Sequence, residues 1–179
     1  MDDKLKEIEN TVLKERALRL AEPIREEGDR SETTNVLVFR AIGTRYAVNL
    51  SCVDAVLRIF DIMPVPGTPR HIPGVIRRRG ATTALVSLRF FFFPQTEGLI
   101  DEDLAVVVTA RRKTFALQVE DVEGVQPLIK SQLRPVPDNY VRAVAPYLMG
   151  VTPDGMALLD MDRIVSSEGF GTTRIEGQP

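Results

Sequence analysis

The sequence has very few of the residues from which metal and disulfide sites are built. It contains one cysteine, Cys52, one histidine, His71, and no tryptophan among 179 residues. A single cysteine cannot form an intramolecular disulfide, and one cysteine with one histidine cannot complete a structural zinc site. No apolar run approaches the roughly 20 residues of a membrane helix, and the N-terminus is charged. We therefore expect a cytoplasmic protein without a cofactor or direct membrane insertion.

Motifs for catalysis are also lacking. No Gly-x-Ser-x-Gly elbow occurs, and His71 lies in a proline-rich turn without an evident orienting partner. Residues 124–131 resemble a phosphate-binding loop, but Ile129 stands where the second glycine is required and Pro127 has no backbone N–H. We therefore expect that the protein is not an enzyme.

The beginning and the end of the chain differ from its middle. Apolar residues recur at three- and four-residue intervals in residues 3–21, which predicts an amphipathic helix, and the polar residues 26–34 are typical of a linker. Residues 166–179 lose periodicity and carry three glycines, which indicates a flexible tail. We therefore divide the chain into an N-terminal helix and linker over residues 1–34, a main domain over residues 35–165, and a tail.

The main domain contains an internal repeat. Residues 46–56, Tyr-Ala-Val-Asn-Leu-Ser-Cys-Val-Asp-Ala-Val, align without a gap to residues 115–125, Phe-Ala-Leu-Gln-Val-Glu-Asp-Val-Glu-Gly-Val. Downstream, Ile-Met-Pro-Val-Pro at residues 62–66 corresponds to Leu-Arg-Pro-Val-Pro at 133–137, and residues 84–88 correspond to 157–161. A duplicated unit predicts two similar small bodies with a groove between them.

Both copies show the two-residue period of β-strands. Residues 36–40 and 46–50 flank Gly43 as a hairpin, and residues 104–109 and 115–119 flank a basic turn as its counterpart. Short strands interrupted by proline and glycine favour small barrels or a sandwich over a parallel sheet. Such folds offer strand edges and shallow grooves that accept other polypeptides.

Residues 63–80, Met-Pro-Val-Pro-Gly-Thr-Pro-Arg-His-Ile-Pro-Gly-Val-Ile-Arg-Arg-Arg-Gly, resemble the signature of the CheW family, in which a Pro-x-Pro turn leads into Gly-Val-Ile-Asn-Leu-Arg-Gly. The resemblance extends over about residues 36–164. It implies an all-β fold of two SH3-like five-stranded barrels in a pseudo-twofold arrangement. The first barrel would span about residues 35–100 and the second about 101–165, and an exchange of strands between them is left open.

The resemblance also implies a function. CheW-like proteins are scaffolds of bacterial chemosensory arrays that couple the cytoplasmic signalling region of chemoreceptors to the histidine kinase CheA. The implied location is at receptor arrays beneath the inner membrane. We expect the partner-binding residues to be apolar positions in both copies together with the proline turn and its surroundings: Val53, Val56, Arg58, Pro64, Pro66, Gly74, Arg79, Gly80, Val122 and Val125.

Two of these expectations leave alternatives open. Gly74 and Gly80 would allow either a close backbone approach or a simple turn. Arg79 falls on the arginine of the family signature, and its planar guanidinium suits either a partner carboxylate or a structural contact.

The chain departs from the family pattern mainly in its first copy. Arg77 and Arg78 replace Asn-Leu, and further changes lie at Ala55, Ala84, Ser87 and Glu120. Added arginines and lost carboxylates predict a more basic surface and a changed partner preference. The four consecutive phenylalanines at 90–93 indicate either an exposed interaction site or a crossover buried between the barrels.

Two other functions are alternatives to the adaptor. Arg77-Arg78-Arg79 and Arg111-Arg112-Lys113 suit a nucleic-acid-binding barrel, although a net charge of −2 and few nearby aromatic residues disfavour it. A hydrolase, or a divalent-metal site, would need an acid pair such as Asp121 with Glu123 or Asp160 with Asp162, each pair expected on one face of a strand.

Overall fold

The computed structural model describes residues 6–8, 10–14, 33–78, 80–97, 102–167 and 170. Residues 6–8 and 10–14 are helical. The strands are β1 (Thr33–Ala41), β2 (Thr44–Asn49), β3 (Val53–Arg58), β4 (Gly74–Arg78), β5 (Ala81–Ser87), β6 (Leu104–Ala110), β7 (Lys113–Val119), β8 (Asp121–Ile129), β9 (Leu148–Val151) and β10 (Ala157–Leu159). Two short helices, α1 (Leu88–Phe92) and α2 (Met161–Ser166), follow β5 and β10. Three single 3₁₀ turns lie at Leu50–Cys52, Lys130–Gln132 and Ala145–Tyr147.

The strands form two five-stranded sheets of the same topology. Sheet A has the order β8-β1-β2-β10-β9, and sheet B has the order β3-β6-β7-β5-β4. Each sheet combines a hairpin from one half of the chain with three strands from the other half. Exchanging every strand for its counterpart in the other copy converts one order into the other. The predicted all-β fold is confirmed, and the sequence repeat is a repeat of topology.

The correspondence extends to the register of the strands. Tyr46 pairs with Ala157 in a parallel ladder, and Phe115 pairs with Ala84 in the equivalent one. A β-bulge interrupts the β3–β6 ladder next to Val53, and another interrupts the β1–β8 ladder at the corresponding place. Bulges bend a strand and increase its twist. The two copies therefore curl in the same way.

The largest hydrophobic core lies between the sheets. Leu37 and Phe39 of β1 belong to this main core, whereas Val36 and Val38 belong to a smaller cluster made from sheet A alone. Sheet B repeats the pattern, because alternate residues of β6 enter the main core or a second small cluster. Both faces of each sheet are thus buried, and the groove expected between the two bodies is largely filled by side chains.

Two further segments contribute to the main core. Ile8 and Val12 of the N-terminal helical residues are buried in it. In α1, Phe90 and Phe92 are buried and Phe91 is partly buried, as is Phe93 just beyond the helix. The structure thus supports a buried crossover for these rings. Among the described residues, no helix is long and apolar enough to cross a membrane.

Candidate functional site

Three of the expected partner-binding residues are core residues. Val53 and Val56 on β3 and Val122 on β8 are only 2–3% exposed and belong to the main core. Their side chains hold the two sheets together and are not available at the surface. The expectation of direct partner contact is therefore corrected for these three valines. Val125 is partly buried against the same core.

The other expected residues surround the loop that joins β3 to β4. Arg58 ends β3 and is partly exposed, and Pro64 and Pro66 are exposed within the loop. Gly74 is buried at the start of β4, whereas Gly80 is exposed in the turn that follows it. Arg79 lies outside the described residues. Gly74 and Gly80 thus lie at opposite ends of β4, and Pro64 and Pro66 lie in the loop before it.

Backbone hydrogen bonds hold this loop in place. The Ile59 N–H donates to the Asp103 carbonyl at 2.6 Å, which extends the β3–β6 ladder beyond β3. Met63 exchanges two hydrogen bonds of 2.9 Å with Val75 of β4. The Thr68 hydroxyl lies 2.8 Å from the Val65 carbonyl oxygen. The loop is therefore fixed at both ends and in its middle, and it presents its side chains from a defined backbone.

A cavity of about 350 Å³ opens between the end of β3 and the edge of β4. We call it the β3–β4 slot; it is lined by Leu57, Arg58, Ile59, Phe60, Asp61, Met63, Ile76 and Arg77. The ring of Phe60 stands at its rim and is 91% exposed. Sequence reasoning missed Phe60. The available signal was the strand period, which places Phe60 on the same face as Arg58.

The charges around the slot are mostly basic. Arg58 forms an ion pair of 3.3 Å with Asp103. Arg77 is exposed and Arg78 partly exposed, and neither forms an ion pair with any residue that the structure describes. Asp61 is the exposed carboxylate next to Phe60. The slot and its edge therefore combine an aromatic ring with two guanidinium groups that no described carboxylate neutralises.

The predicted basic surface rests on fewer residues than the sequence suggested. Ala55 and Ser87 are buried at 6% and 0% exposure, so a carboxylate missing there does not change the surface charge. Glu120 accepts hydrogen bonds from the Gly43 N–H at 3.1 and 3.2 Å and lies 3.6 Å from Arg89. It therefore links α1 to the β1–β2 hairpin.

Arg89 also faces a buried carboxyl group. Glu102 is only 7% exposed, and its Oε1 atom lies 3.8 Å from the Arg89 guanidinium. Burial raises the pKa of Glu102 to about 7, an effect that the charge of Arg89 partly offsets and that of Glu120 reinforces. Asp103, the next residue, is the one that contacts the slot residues Arg58 and Ile59.

A larger cavity, of about 730 Å³, marks where the seam between the two copies is open. Its lining comes from α1, α2 and adjacent loops: His71, Phe90, Phe91, Pro94, Pro146, Tyr147, Arg163, Ser166 and Ser167. The Phe91 and Tyr147 rings pack 5.0 Å apart. The Ser166 hydroxyl donates to the Asp162 carbonyl, and Arg163 pairs with Asp160. Arg163 also donates a hydrogen bond of 3.2 Å to the Pro146 carbonyl, and the His71 ring packs edge-on against Phe91 at 5.6 Å. The described contacts of these side chains thus hold α2 and the adjacent loops together.

The acid pairs considered for hydrolysis have structural partners. Asp160 caps α2 by accepting a hydrogen bond of 3.0 Å from the Arg163 N–H, and Asp162 lies in the first turn of that helix. Their predicted position on a strand is wrong. Glu123 forms an ion pair of 2.9 Å with Arg45. In the part of the chain that the structure covers, no three His, Cys, Asp or Glu residues cluster as metal ligands.

Comparison with known proteins gives one family. A family model described as CheW-like domain matches residues 35–169, which include β2 to β10 and all of β1 except its first two residues. The chain is 21% identical over 136 residues to the chemotaxis protein CheW of Rhizobium meliloti (strain 1021), covering 74% of this chain and 88% of that protein. The crystal structure of the scaffolding protein TtCheW from Thermoanaerobacter tengcongensis superposes with a TM-score of 0.65 at 20% identity, covering 76% of this chain and 94% of that one. That likeness shows the fold.

Proposed function

Because this chain belongs to the CheW-like domain family, we propose that it is a chemotaxis adaptor that holds chemoreceptors and a CheA-type histidine kinase in one signalling assembly. The coarser role, a chemotaxis adaptor, is supported by the family and by the shared fold. The coupling of a receptor to a kinase is the part that we propose. The observation that carries it is the match of the family model over both sheets.

The duplicated architecture supports a role in joining partners. An adaptor needs at least two contact surfaces held at a constant distance, and two sheets that share one continuous core provide a rigid body. Pro64, Pro66 and Gly80 are exposed and Arg58 is partly exposed, which supports a role for them in partner contact. We propose these four residues, with Arg79, as the partner-binding residues of the first copy, and Val125 as the remaining candidate of the second.

The chemistry of the described residues supports a binding role without catalysis. One carboxylate of each candidate acid pair forms an ion pair, Asp160 with Arg163 and Glu123 with Arg45. General acid–base catalysis requires a titrating group within hydrogen-bond reach of a substrate in an accessible site. Glu102 has a raised pKa but is buried, with only 7% of its surface exposed. We therefore propose a non-enzymatic protein that works at receptor arrays beneath the inner membrane.

The adaptor proposal is tested by co-sedimentation. The full chain is mixed with membranes or nanodiscs that carry a chemoreceptor of the same cell, with and without the kinase. We expect the chain to sediment with the receptor, and kinase to sediment in greater amount when the chain is present. The control omits the receptor. If no receptor and no chemosensory kinase of that cell retains the chain, the adaptor proposal is wrong.

A further inference from the structure

The repeat provides an internal comparison, because corresponding backbone positions carry different side chains. When the two copies are aligned through the bulges beside Val53 and Val122, Phe60 corresponds to Ile129. The Phe60 side chain is 91% exposed, whereas Ile129 is 37% exposed. The fold requires no large exposed ring at this position, since the equivalent position of sheet A does without one.

The two copies also differ in charge beyond the close approaches at Gly74 and Gly150, which align β4 with β9. There β4 continues to Arg78, which pairs with Ala81, whereas sheet A turns at Asp154, between Thr152 and Met156. Asp154 is neutralised by an ion pair of 2.8 Å with Arg45. Arg77 and Arg78 form no ion pair with a described residue. At the end of sheet A, Lys130 and Arg134 are likewise exposed without an ion pair to a described residue. The feature that sets the end of sheet B apart is therefore the exposed Phe60 ring together with the two arginines.

The exposed ring is held by ordered structure on both sides. Ile59, directly before Phe60, is hydrogen-bonded to Asp103, and Met63, three residues later, is bonded to β4. Burial of this ring by a partner therefore costs little conformational entropy, because the loop is already ordered before binding. Aromatic residues and arginines on a preorganised surface are the side chains that most often dominate the energetics of a protein interface.

We propose that the β3–β4 slot, with Phe60, Arg77 and Arg78, docks a polypeptide partner whose surface has an apolar pocket bordered by aspartate or glutamate side chains. Phe60 enters the partner's pocket, and the two guanidinium groups pair with the carboxylates. The inference rests on the adaptor proposal and deepens it, because it assigns the face and the chemistry of one partner contact. Single-stranded nucleic acid can also bind an aromatic ring beside arginines, and it is the alternative occupant that the test below distinguishes.

The test measures affinity for two probes from the same cell, the full-length CheA-type kinase and a receptor cytoplasmic fragment. The variants are Phe60→Ala and Arg77→Glu in the full chain, and Ile129→Ala is the matched control from the other copy. We expect Phe60→Ala to weaken binding of one probe by about tenfold or more, and Ile129→Ala to change it less than about twofold. Arg77→Glu should also weaken binding and reduce its dependence on salt.

The melting temperature of each variant separates binding from folding, because an exposed side chain contributes little to stability. If the wild-type chain binds a probe and Phe60→Ala binds it equally well, the slot proposal is wrong while the adaptor proposal stands. If the wild type binds neither probe, the adaptor proposal fails and the slot proposal fails with it. Salt-sensitive binding of a thymidine oligonucleotide that depends on Phe60, or loss of self-association alone in Phe60→Ala, would also overturn the proposed partner.

Discussion

The backbone carbonyl of Met63 occupies the space beside Gly74 that the β-carbon of any other residue would fill. The second copy repeats the contact, because a β-carbon on Gly150 would lie 2.6 Å from the Arg134 carbonyl oxygen. In both copies the proline turn crosses the edge of the next strand at this point. Glycine is therefore required for close approach of two backbones, and the structure supports that interpretation of Gly74 over simple turn formation.

Gly74→Ala should strongly destabilise the fold. The added methyl group meets backbone atoms of Met63, which cannot move without breaking the two hydrogen bonds to Val75. We expect the free energy of unfolding to fall by about 1–3 kcal/mol, as for other overpacked sites. Urea denaturation measures the change.

Gly80→Ala is the matched control for Gly74→Ala. Gly80 has φ of +83°, but no atom lies within 4 Å of the position that an alanine methyl group would take. Alanine at position 80 should therefore lower the free energy of unfolding only by the cost of a left-handed backbone, about 1–2 kcal/mol. Only the Gly74 variant should also disturb the proline turn, seen as faster hydrogen exchange at Met63 and Val75. Equal exchange rates in the two variants would contradict the close-approach argument.

Val53→Ala should act on stability and not directly on binding. The side chain is buried between the sheets, and removing two methyl groups there leaves a cavity in the main core. We expect a loss of about 1–3 kcal/mol in the free energy of unfolding. Val122→Ala should behave alike, because Val122 is its counterpart in the other copy. A variant of unchanged stability and weakened partner binding would show that the valine is a contact residue after all.

The position of Val53 shows where sequence reasoning succeeds and where it stops. The repeat and the two-residue period were sufficient to predict an all-β fold of two equivalent units. In most sheets, alternation also separates a buried face from an exposed one. Here both faces are buried, one in the main core and one in a small cluster, so alternation could not show which apolar residues reach the surface.

Two other features of the fold could not be predicted from the sequence. One depends on contacts between distant parts of the chain, and the other on a segment too short to show a period. A hairpin has the same sequence whichever sheet it joins, so the exchange of hairpins between the two halves is visible only in the topology. The helix α2 has six residues, too few to display a helical period, so the sequence pattern around Asp160 predicts a strand instead. Its capping role could have been inferred from an aspartate directly before the helix.

Arg112→Gly should stabilise the protein. The β6–β7 hairpin turns at Arg111 and Arg112 with φ of 47° and 65°, whereas the equivalent turn of the first copy has Gly43 at the second position. Left-handed backbone is unfavourable for arginine and readily adopted by glycine. We expect the free energy of unfolding to rise by about 0.5–1 kcal/mol, a value that already includes the greater freedom of glycine in the unfolded chain. Urea or thermal denaturation measures the change.

Gly43→Ala is the control for that prediction in the other hairpin. It places a side chain at the same turn position, where φ is 67°, and keeps the N–H that donates to Glu120. Stability should fall by about 1 kcal/mol, opposite in sign to the effect of Arg112→Gly. Changes of the same sign in both variants would show that the turn conformation does not determine the outcome.

Glu102 should make the fold more stable in mild acid than in mild base. Burial raises its pKa from 4.5 to about 7, and Arg89 compensates only in part. Between these two values the folded state holds more protons than the unfolded state, so the free energy of unfolding falls as the pH rises. Above pH 7, ionisation of Glu102 should lower the free energy of unfolding by at most about 3 kcal/mol relative to its value in mild acid.

Glu102→Gln should remove this dependence, because the amide stays neutral at every pH. The variant should be more stable than the wild type at pH 8, and the advantage should disappear at about pH 4.5, where Glu102 is protonated in the folded state. Urea denaturation at several pH values measures the difference between the two proteins. A difference that stays constant from pH 4.5 to 8 would mean that the amide acts through packing or through the lost contact with Arg89, and not through the proton on Glu102.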